Sequence, residues 1–554
     1  MPIRPTYPGV YVEEIPSGVH PIVGVSTSVA AFVDFFPRGP INKATQITNF
    51  GDFQRIFGGL DKRSEASYAI QQFYLNGGQL AWVVRVNSDK MKMVSASYTL
   101  GSTLKVTAAN PGTWAGGSSG NSPNSVQVAI DKNTPDPSDQ FNLAVREVAT
   151  VNGKKKVVSS EIYRNLTMTK NNARYAVNVV NASSALIALT DLNTGTGSVE
   201  LPSRTSTTIE DVIASSVVND SATDAYKSLT GGDDGDLFDS DGQLKSDRFT
   251  IFSEALTGDQ KENTGIYALD NIAPFHFNIL CIPATANLGN EDYLSTYKKA
   301  IPFCEDKRAV VLVDIPTIID TVEKLMDSNF QGTLDQLRIN PNAATYFPRL
   351  HIADPLNENR PRNVGPSGTL AGIYARTDAT RGVWKAPAGT DAALVGADLP
   401  LKLTDQVNGN LNSLGINVLR NFPIFSTVSW GARTLDGADM KASEWKYIPV
   451  RRTALFIEQS LYEGLKWVVF EPNAEPLWAQ IRLNVSAFMQ SLFRQGAFQG
   501  QSRKDAYLVK CDSETTTQND INNGIVNIVV GFAPLKPAEF VIIQLQQMAG
   551  QIQV

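Results

Sequence analysis

Apolar residues first cluster at residues 21–36 (PIVGVSTSVAAFVDFF), a run rich in β-branched and aromatic side chains that predicts a buried strand. Two short helices are expected next. In the first, Phe50, Phe53, Ile56 and Phe57 fall on one face and Gly58-Gly59 supplies the stop. Ser64 with Glu65 opens the second, which ends at Gly77-Gly78. Residues 80–86 (LAWVVRV) read as another buried strand and complete a compact βααβ unit.

The pattern changes at about Ala109. Residues 110–124 (NPGTWAGGSSGNSPN) form a Gly/Ser/Asn/Pro loop, and from there to about Thr230 the chain is rich in Thr, Ser, Asn and Val, with short alternating runs such as 125–130. A separate, mostly β insertion is expected, closed by LTGGDDG at 229–235 and a second polar loop to about Asp247. From Pro274 the character changes again: 275–283, 308–315 and 344–352 read as strands, and 291–301, 317–327 and 369–377 as helices. Strand and helix in alternation predict a layered βαβ sheet, so the expected class is α/β within a chain that is α+β overall.

From about Trp445 the pattern predicts one long amphipathic helix between strands. Pro476 suits its first position, Leu477, Ile481, Val485, Phe488 and Leu492 recur at helical spacing, and Gly496 supplies the stop. Gln480, Arg482, Asn484, Gln490 and Arg494 occupy much of the rest, and every charge between Leu477 and Gly496 is positive.

Composition adds limits rather than identity. A chain of 554 residues holds three or four domains at about 100–200 residues each. Its 49 Lys+Arg against 55 Asp+Glu give a net charge of −6, which argues against a nucleic-acid binder or a polybasic membrane binder. The charged fraction of 19% is below the usual level, as expected where surface is covered by other protein. Cys281, Cys304 and Cys511 are odd in number and form no CxxC pair, so neither a disulfide framework nor a thiolate zinc site is offered. The opening residues 1–18 (MPIRPTYPGVYVEEIPSG) lack the apolar core of a secretory signal. No apolar run reaches the length of about 18 residues that a membrane-spanning helix needs.

Catalytic motifs are scarce. Neither GxxxxGK[ST] nor GxGxxG occurs, so the common nucleotide cradles are missing. Gly116 to Gly120 (GGSSG) satisfies the letters of a nucleophile elbow, but in a low-complexity loop without the strand and helix that chemistry requires. The acidic residues of LTGGDDG do not fall at the alternate positions of a calcium loop. Histidine chemistry would have to draw on His20, His276 or His351, each of which reads more simply as structural. No catalytic residue, metal site or cofactor is therefore expected. The two termini say more: residues 9–15 (GVYVEEI) and 539–547 (EFVIIQLQQ) are strand candidates with no hairpin partner in sequence. Such strands leave backbone groups unpaired until a sheet edge, in their own chain or another copy, completes them. Head-to-tail donation between copies need not close and can build helical filaments.

Several stretches carry a family resemblance. They are PGVYVEEIPSG at 8–18, NFGDFQRIFGG at 49–59, QFYLNGGQLAWVVRV at 72–86, residues 366–387, residues 411–433 with LGIN and WGAR, and almost all of 445–550. Within the last are YIPVRRTALFIEQSLYEGLKWVVFEPN, PLWAQIR, GAFQG, AYLVKCD and VGFAPLKPAEFV. On these residues the chain resembles the sheath proteins of contractile phage tails and related contractile injection systems; residues 109–228 lie outside the likeness.

The resemblance implies a core built from both chain ends, with a subtilisin-like α/β region and an inserted, mostly β outer domain. Laid on this chain, it gives an N-terminal exchange arm at 1–20, core at 21–108, the inserted domain at 109–230, the α/β domain at 245–440, a C-terminal core domain at 441–535 and a C-terminal exchange arm at 536–554. Val10, Tyr11, Val12, Glu13 and Ile15 would be exchanged at one end, and Phe540, Val541, Ile542, Ile543 and Leu545 at the other. The helix at 477–495, through Gln480, Arg482, Asn484, Gln490 and Arg494, would hold an inner tube. Implied partners are other copies, the inner tube protein, and baseplate and terminal cap proteins, with no nucleic acid and no membrane insertion. Assembly is expected in the cytoplasm of the producing cell, as part of a phage tail or an injection particle, and contraction would run on a metastable extended lattice without nucleotide. The alternative is an α/β serine hydrolase of subtilisin-like fold, but no recognisable Asp, His and Ser set accompanies that likeness.

Overall fold

The computed structural model describes residues 20–117, 124–151, 153–193, 201–202, 205 and 226–545. Continuous apolar runs become strands covered on both faces, as parallel sheets require. Eight of them form one sheet in the spatial order Ser426–Ser429, Asn417–Phe422, Ala343–Phe347, Val310–Val313, Ile279–Cys281, Ala30–Asp34, Ala81–Arg85 and Thr45–Ile47. The six inner strands are parallel, and an antiparallel strand closes each edge. Side chains alternate between two helical layers. Ala31 and Val33 face the helices Phe249–Thr257 and Asn290–Asp306, whereas Ala30 and Phe32 face Phe50–Phe57, Glu65–Leu75 and Ser367–Arg381. The fold is therefore mixed, with an α/β sheet at its centre, as its class was read from sequence.

Local signals set the helix ends. The Asn49 side chain accepts from the Asp52 amide to start Phe50–Phe57, and Gly58, at φ 98°, ends it. Three expectations change. The run 344–352 breaks at Pro348 into Ala343–Phe347, which pairs within the large sheet, and Leu350–Asp354, which pairs with Arg360–Val364 instead. The single helix expected at 317–327 is two: Val322–Leu325 and Ser328–Asp335, capped by Thr321 and Asp327. The segment after Trp445 holds two long helices rather than one, Ile448–Gly464 and Glu475–Arg494.

A second apolar cluster belongs to a β layer formed by Ser97–Leu100, Leu104–Ala108 and Ile187–Asp191, with the four-stranded sheet Lys227–Ser228, Asn124–Asp131, Gln140–Val151 and Lys154–Thr167. A third joins the two ends of the chain. Ile22 packs with Ile457, Leu477, Ile481, Val485 and Phe488, and the Val25 amide donates to Ser460 Oγ at 3.2 Å. His20 stacks on Trp467 with ring centroids 4.3 Å apart. Gly464 has no room for a side chain, because a Cβ there would lie 2.7 Å from Ile22. Among the described residues, no helix is long and apolar enough to cross a membrane.

Two buried carboxyls hold helix N-termini against the sheet. Asp34 accepts from the Phe35 amide (2.7 Å), Ser64 Oγ (3.0 Å) and the Ala66 amide (2.7 Å) at the start of Glu65–Leu75. Asp314 accepts from the Ser367 amide (2.9 Å) and Ser367 Oγ (2.5 Å) at the start of Ser367–Arg381. Burial pushes Asp34 up to about 7 against the pull of the Ala66 and Phe35 amides, and Asp314 up to about 6 against Ser367 and Arg349. Both values lie above the unfolded 3.8. The stability these carboxyls contribute is thus full below about pH 4 and lost as pH rises through about 6 and 7. Denaturation midpoints measured from pH 4 to pH 8 should fall less steeply for Asp34→Asn than for the parent; identical slopes would remove Asp34 as a cause.

Candidate functional site

Helix Glu475–Arg494 presents one face to the cluster that joins the chain ends. Leu477, Trp478, Ile481, Val485, Phe488, Met489 and Leu492 are buried there, which accounts for the spacing seen in sequence. The five polar positions expected to share the other face do not behave alike. Asn484 is 2% exposed and lies on the packed side, so it is no part of an outward surface. Arg482 is held by Glu475 Oε1 at 2.5 Å and by the Cys511 carbonyl. Gln490 accepts from the Tyr507 hydroxyl at 3.0 Å. Gln480 and Arg494 are exposed, and among the described residues Arg494 makes no ion pair, standing in the last turn where a cation favours the helix dipole. The outward strip also contains Ala479, Leu483, Ala487 and Ser491, with Leu483 more than half exposed. Sequence reasoning passed over Leu483 because it weighed charge and not exposure.

Beside this helix lies a two-stranded antiparallel hairpin, Tyr507–Lys510 with Val529–Phe532, registered from Tyr507 opposite Phe532 to Lys510 opposite Val529. It pairs with no other strand among the described residues. The chain then leaves it through Pro534 and Pro537. Of the C-terminal strand expected at 539–547, the part as far as residue 545 forms no ladder among the described residues, and 546–547 lie outside them. Phe540, Val541, Ile542, Ile543 and Leu545 are between 73% and 94% exposed. Five large apolar side chains in six positions, all in water, form the most concentrated exposed apolar row described in this chain. Val10, Tyr11, Val12, Glu13 and Ile15 lie outside the described residues.

Sequence reasoning missed how this row is rooted. Glu539 Oε1 accepts from Arg433 Nε at 2.7 Å and from Asn412 Nδ2 at 2.8 Å; Oε2 accepts from Arg433 Nη2 at 2.7 Å and from the Tyr447 hydroxyl at 3.0 Å. Arg433 Nη1 is taken up by the Asn412 carbonyl (2.7 Å) and Asp439 Oδ1 (2.9 Å). Burial alone would raise the Glu539 carboxyl, but the bonds from Arg433, Asn412 and Tyr447 hold it below the usual glutamate value. A cleft of about 680 Å³ runs beside the segment, lined by Trp384, Trp430, Tyr447, Glu539 and Phe540 among others. Arg433 sits in WGAR and Glu539 in PLKPAEF, both within stretches that carry the family likeness.

The remaining chemistry is sparse. Ser118, the centre of GGSSG, lies outside the described residues. His276 meets the Ser26 carbonyl at 3.0 Å, and the backbone of His351 pairs with that of Asp398. No group of three metal-binding side chains occurs among the described residues.

Residues 440–548 match the family model for the phage tail sheath C-terminal domain. Over 242 residues the chain is 24% identical to a putative prophage major tail sheath protein of Pseudomonas aeruginosa (strain UCBPP-PA14), covering 42% of this chain and 57% of that one. Over 167 residues it is 25% identical to the tail sheath protein of Vibrio phage KVP40, covering 30% and 24%. The chain thus matches less than two thirds of either relative's length. Among solved structures it is similar to the sheath of an extracellular contractile injection system, PVC, in its contracted state, with a TM-score of 0.54, 20% identity and 99% of both chains covered. The sheath tail protein Lin1278 of Listeria innocua gives a TM-score of 0.54 at 14% identity, covering 93% of this chain and 96% of that one. These two structural likenesses establish the fold.

Proposed function

We propose that this chain, whose residues 440–548 are a phage tail sheath C-terminal domain, is the structural sheath subunit of a contractile tail or injection particle. The observation that carries this reading is the exposed apolar row at 540–545, downstream of a two-stranded sheet that pairs with no other strand among the described residues. Apolar residues in water and unsatisfied strand edges are both costly, and strand addition between copies removes both costs together. Residues 10–15, near the other end of the sequence, would be exchanged as well. Each contact would be heterologous, so the assembly need not close and can propagate as a helix.

Subunits would polymerise in an extended arrangement around an inner tube, seated on a baseplate and ended by a cap. The work of contraction would come from the difference between two arrangements of the same contacts, with the exchanged strands keeping neighbours connected throughout. Such a machine needs no nucleotide. The outward strip of helix Glu475–Arg494, with Gln480, Leu483 and Arg494, is the part suited to face the tube; Arg482 and Gln490 are already engaged within the subunit, and Asn484 is buried. The serine-hydrolase alternative has no observation in its favour.

Purified protein concentrated and examined by negative-stain microscopy should give hollow tubes or short helical arrays. A chain that stays monomeric at high concentration would refute the reading.

A further inference from the structure

The route from the hairpin to the exposed row has two fixed points. At the first, the Ala533 amide donates to the Ala506 carbonyl at 2.8 Å and the Gln499 amide donates to the Ala533 carbonyl at 2.9 Å, so the segment is still bound to the C-terminal layer. Pro534 and Pro537 then restrict the backbone and remove two donors, which leaves the stretch stiff but without ladder bonds. The second fixed point is Glu539, the residue immediately before the apolar row.

Its receptor is assembled from separated parts of the chain. Asn412 lies at the end of helix Asp405–Ser413, Arg433 follows strand Ser426–Ser429, and Tyr447 precedes helix Ile448–Gly464. The Arg433 side chain is 1% exposed, and its backbone amide and carbonyl are both bonded to the Asn417 side chain at 2.7 Å. The backbone at Arg433 is thus fixed, Nη1 is held by groups other than Glu539, the Asn412 carbonyl and Asp439 Oδ1, and the bidentate geometry is the strong form of this contact. An ordinary surface ion pair contributes little. This one spends a buried arginine, an amide and a tyrosine hydroxyl on a single carboxylate in a segment that is otherwise exposed.

We infer that Glu539 is a positioning residue for polymerisation: its clasp on Arg433, Tyr447 and Asn412 fixes where residues 540–545 leave the subunit and ties that exit to the α/β layer. The inference rests on the sheath reading. A row fixed at its root loses less chain entropy when a neighbouring edge receives it, and load on the exchanged strand passes to the sheet rather than peeling Val529–Phe532 from its partner.

The full-length chain tests this with three variants. Glu539→Gln removes the charge at unchanged size and should lower the denaturation midpoint of the monomer only modestly, because Arg433 keeps its pair with Asp439, while residues 533–545 become faster to cut by limited proteolysis. It should also raise the protein concentration needed for arrays about tenfold, the factor matching one lost charge-assisted hydrogen bond. Tyr447→Phe, which deletes one donor and no charge, should move the same two readouts in the same direction by less, and decides the matter if Glu539→Gln fails to fold. Truncation after Pro537 separates the two ideas. If truncated protein still forms arrays, the strand-exchange reading fails; if truncation abolishes arrays while Glu539→Gln and Tyr447→Phe assemble like the parent, the clasp alone is overturned.

Discussion

Replacing Asp378 with alanine is expected to lower the stability of the subunit by about 3–5 kcal/mol, the loss typical of leaving one partner of a buried ion pair alone. Arg452 on helix Ile448–Gly464 meets Asp378 on helix Ser367–Arg381 through Nη1 at 2.9 Å and Nη2 at 2.6 Å, and both side chains are 3% exposed. The same Nη2 donates to the Thr27 carbonyl at 2.8 Å, and the guanidinium lies over the Tyr374 ring, 4.8 Å from its centroid. Burial would depress the arginine, but the Asp378 carboxylate outweighs it and holds the charge in place. One contact thus joins the N-terminal segment, the layer against the sheet and the first C-terminal helix. Without Asp378 the cation stays buried and unpaired, whereas the double variant Arg452→Met/Asp378→Leu should recover most of the loss because no charge is left behind. Denaturant midpoints of Asp378→Ala, Arg452→Met and the double variant would check this; a double variant no more stable than Asp378→Ala would show that packing, not charge, carries the cost.

That contact also explains what sequence could and could not yield. Strands Ala30–Asp34, Ala81–Arg85 and Val310–Val313 were legible because a parallel strand covered on both faces is a near-continuous apolar run, here broken only by Asp34 and Arg85 at two strand ends. Helix Phe50–Phe57 was legible from its phenylalanine spacing and glycine stop, and helix Glu475–Arg494 from its period. Helix Ile448–Gly464 was not. It buries Arg452, Thr453 and Ser460 along with its aliphatic residues, so polar letters fall on its inner face and blur the stripe that marks an amphipathic helix.

The site was legible in kind but not in geometry. An apolar terminal segment without a hairpin partner was visible in EFVIIQLQQ, and it is exposed as far as it is described. The Glu539 clasp was invisible because its partners lie up to 127 positions away, and no local period marks a bond between Asn412 and Glu539. The contacts of Arg482 within the subunit were not legible for a related reason. A positive residue on a helix suggests an outward contact, but Glu475, seven positions earlier, and the Cys511 carbonyl already hold it.

Placing a lysine at Ile543 is expected to abolish polymerisation while leaving the isolated subunit as stable as the parent. Ile543 is 79% exposed, and substitutions at such positions usually change stability by no more than about 0.5 kcal/mol. In an added strand, alternate side chains face opposite sides. Val541, Ile543 and Leu545 then form one wholly apolar face, and Phe540 and Ile542 share the other with Gln544. A lysine among the first three must be buried without a partner, and even about 3 kcal/mol lost at each contact lowers its affinity by about two orders of magnitude. Because every subunit in a helical lattice makes the same contact, the loss recurs at each addition. Gln544→Lys puts the same charge one residue away on the face that already carries a polar group, and should assemble at a concentration within a few fold of the parent. Sedimentation of arrays against protein concentration separates the two variants. Equal loss in both would mean that charge near the terminus, and not burial of an alternating strand, governs assembly; equal assembly in both would mean that residues 541–545 are not received by a sheet edge at all.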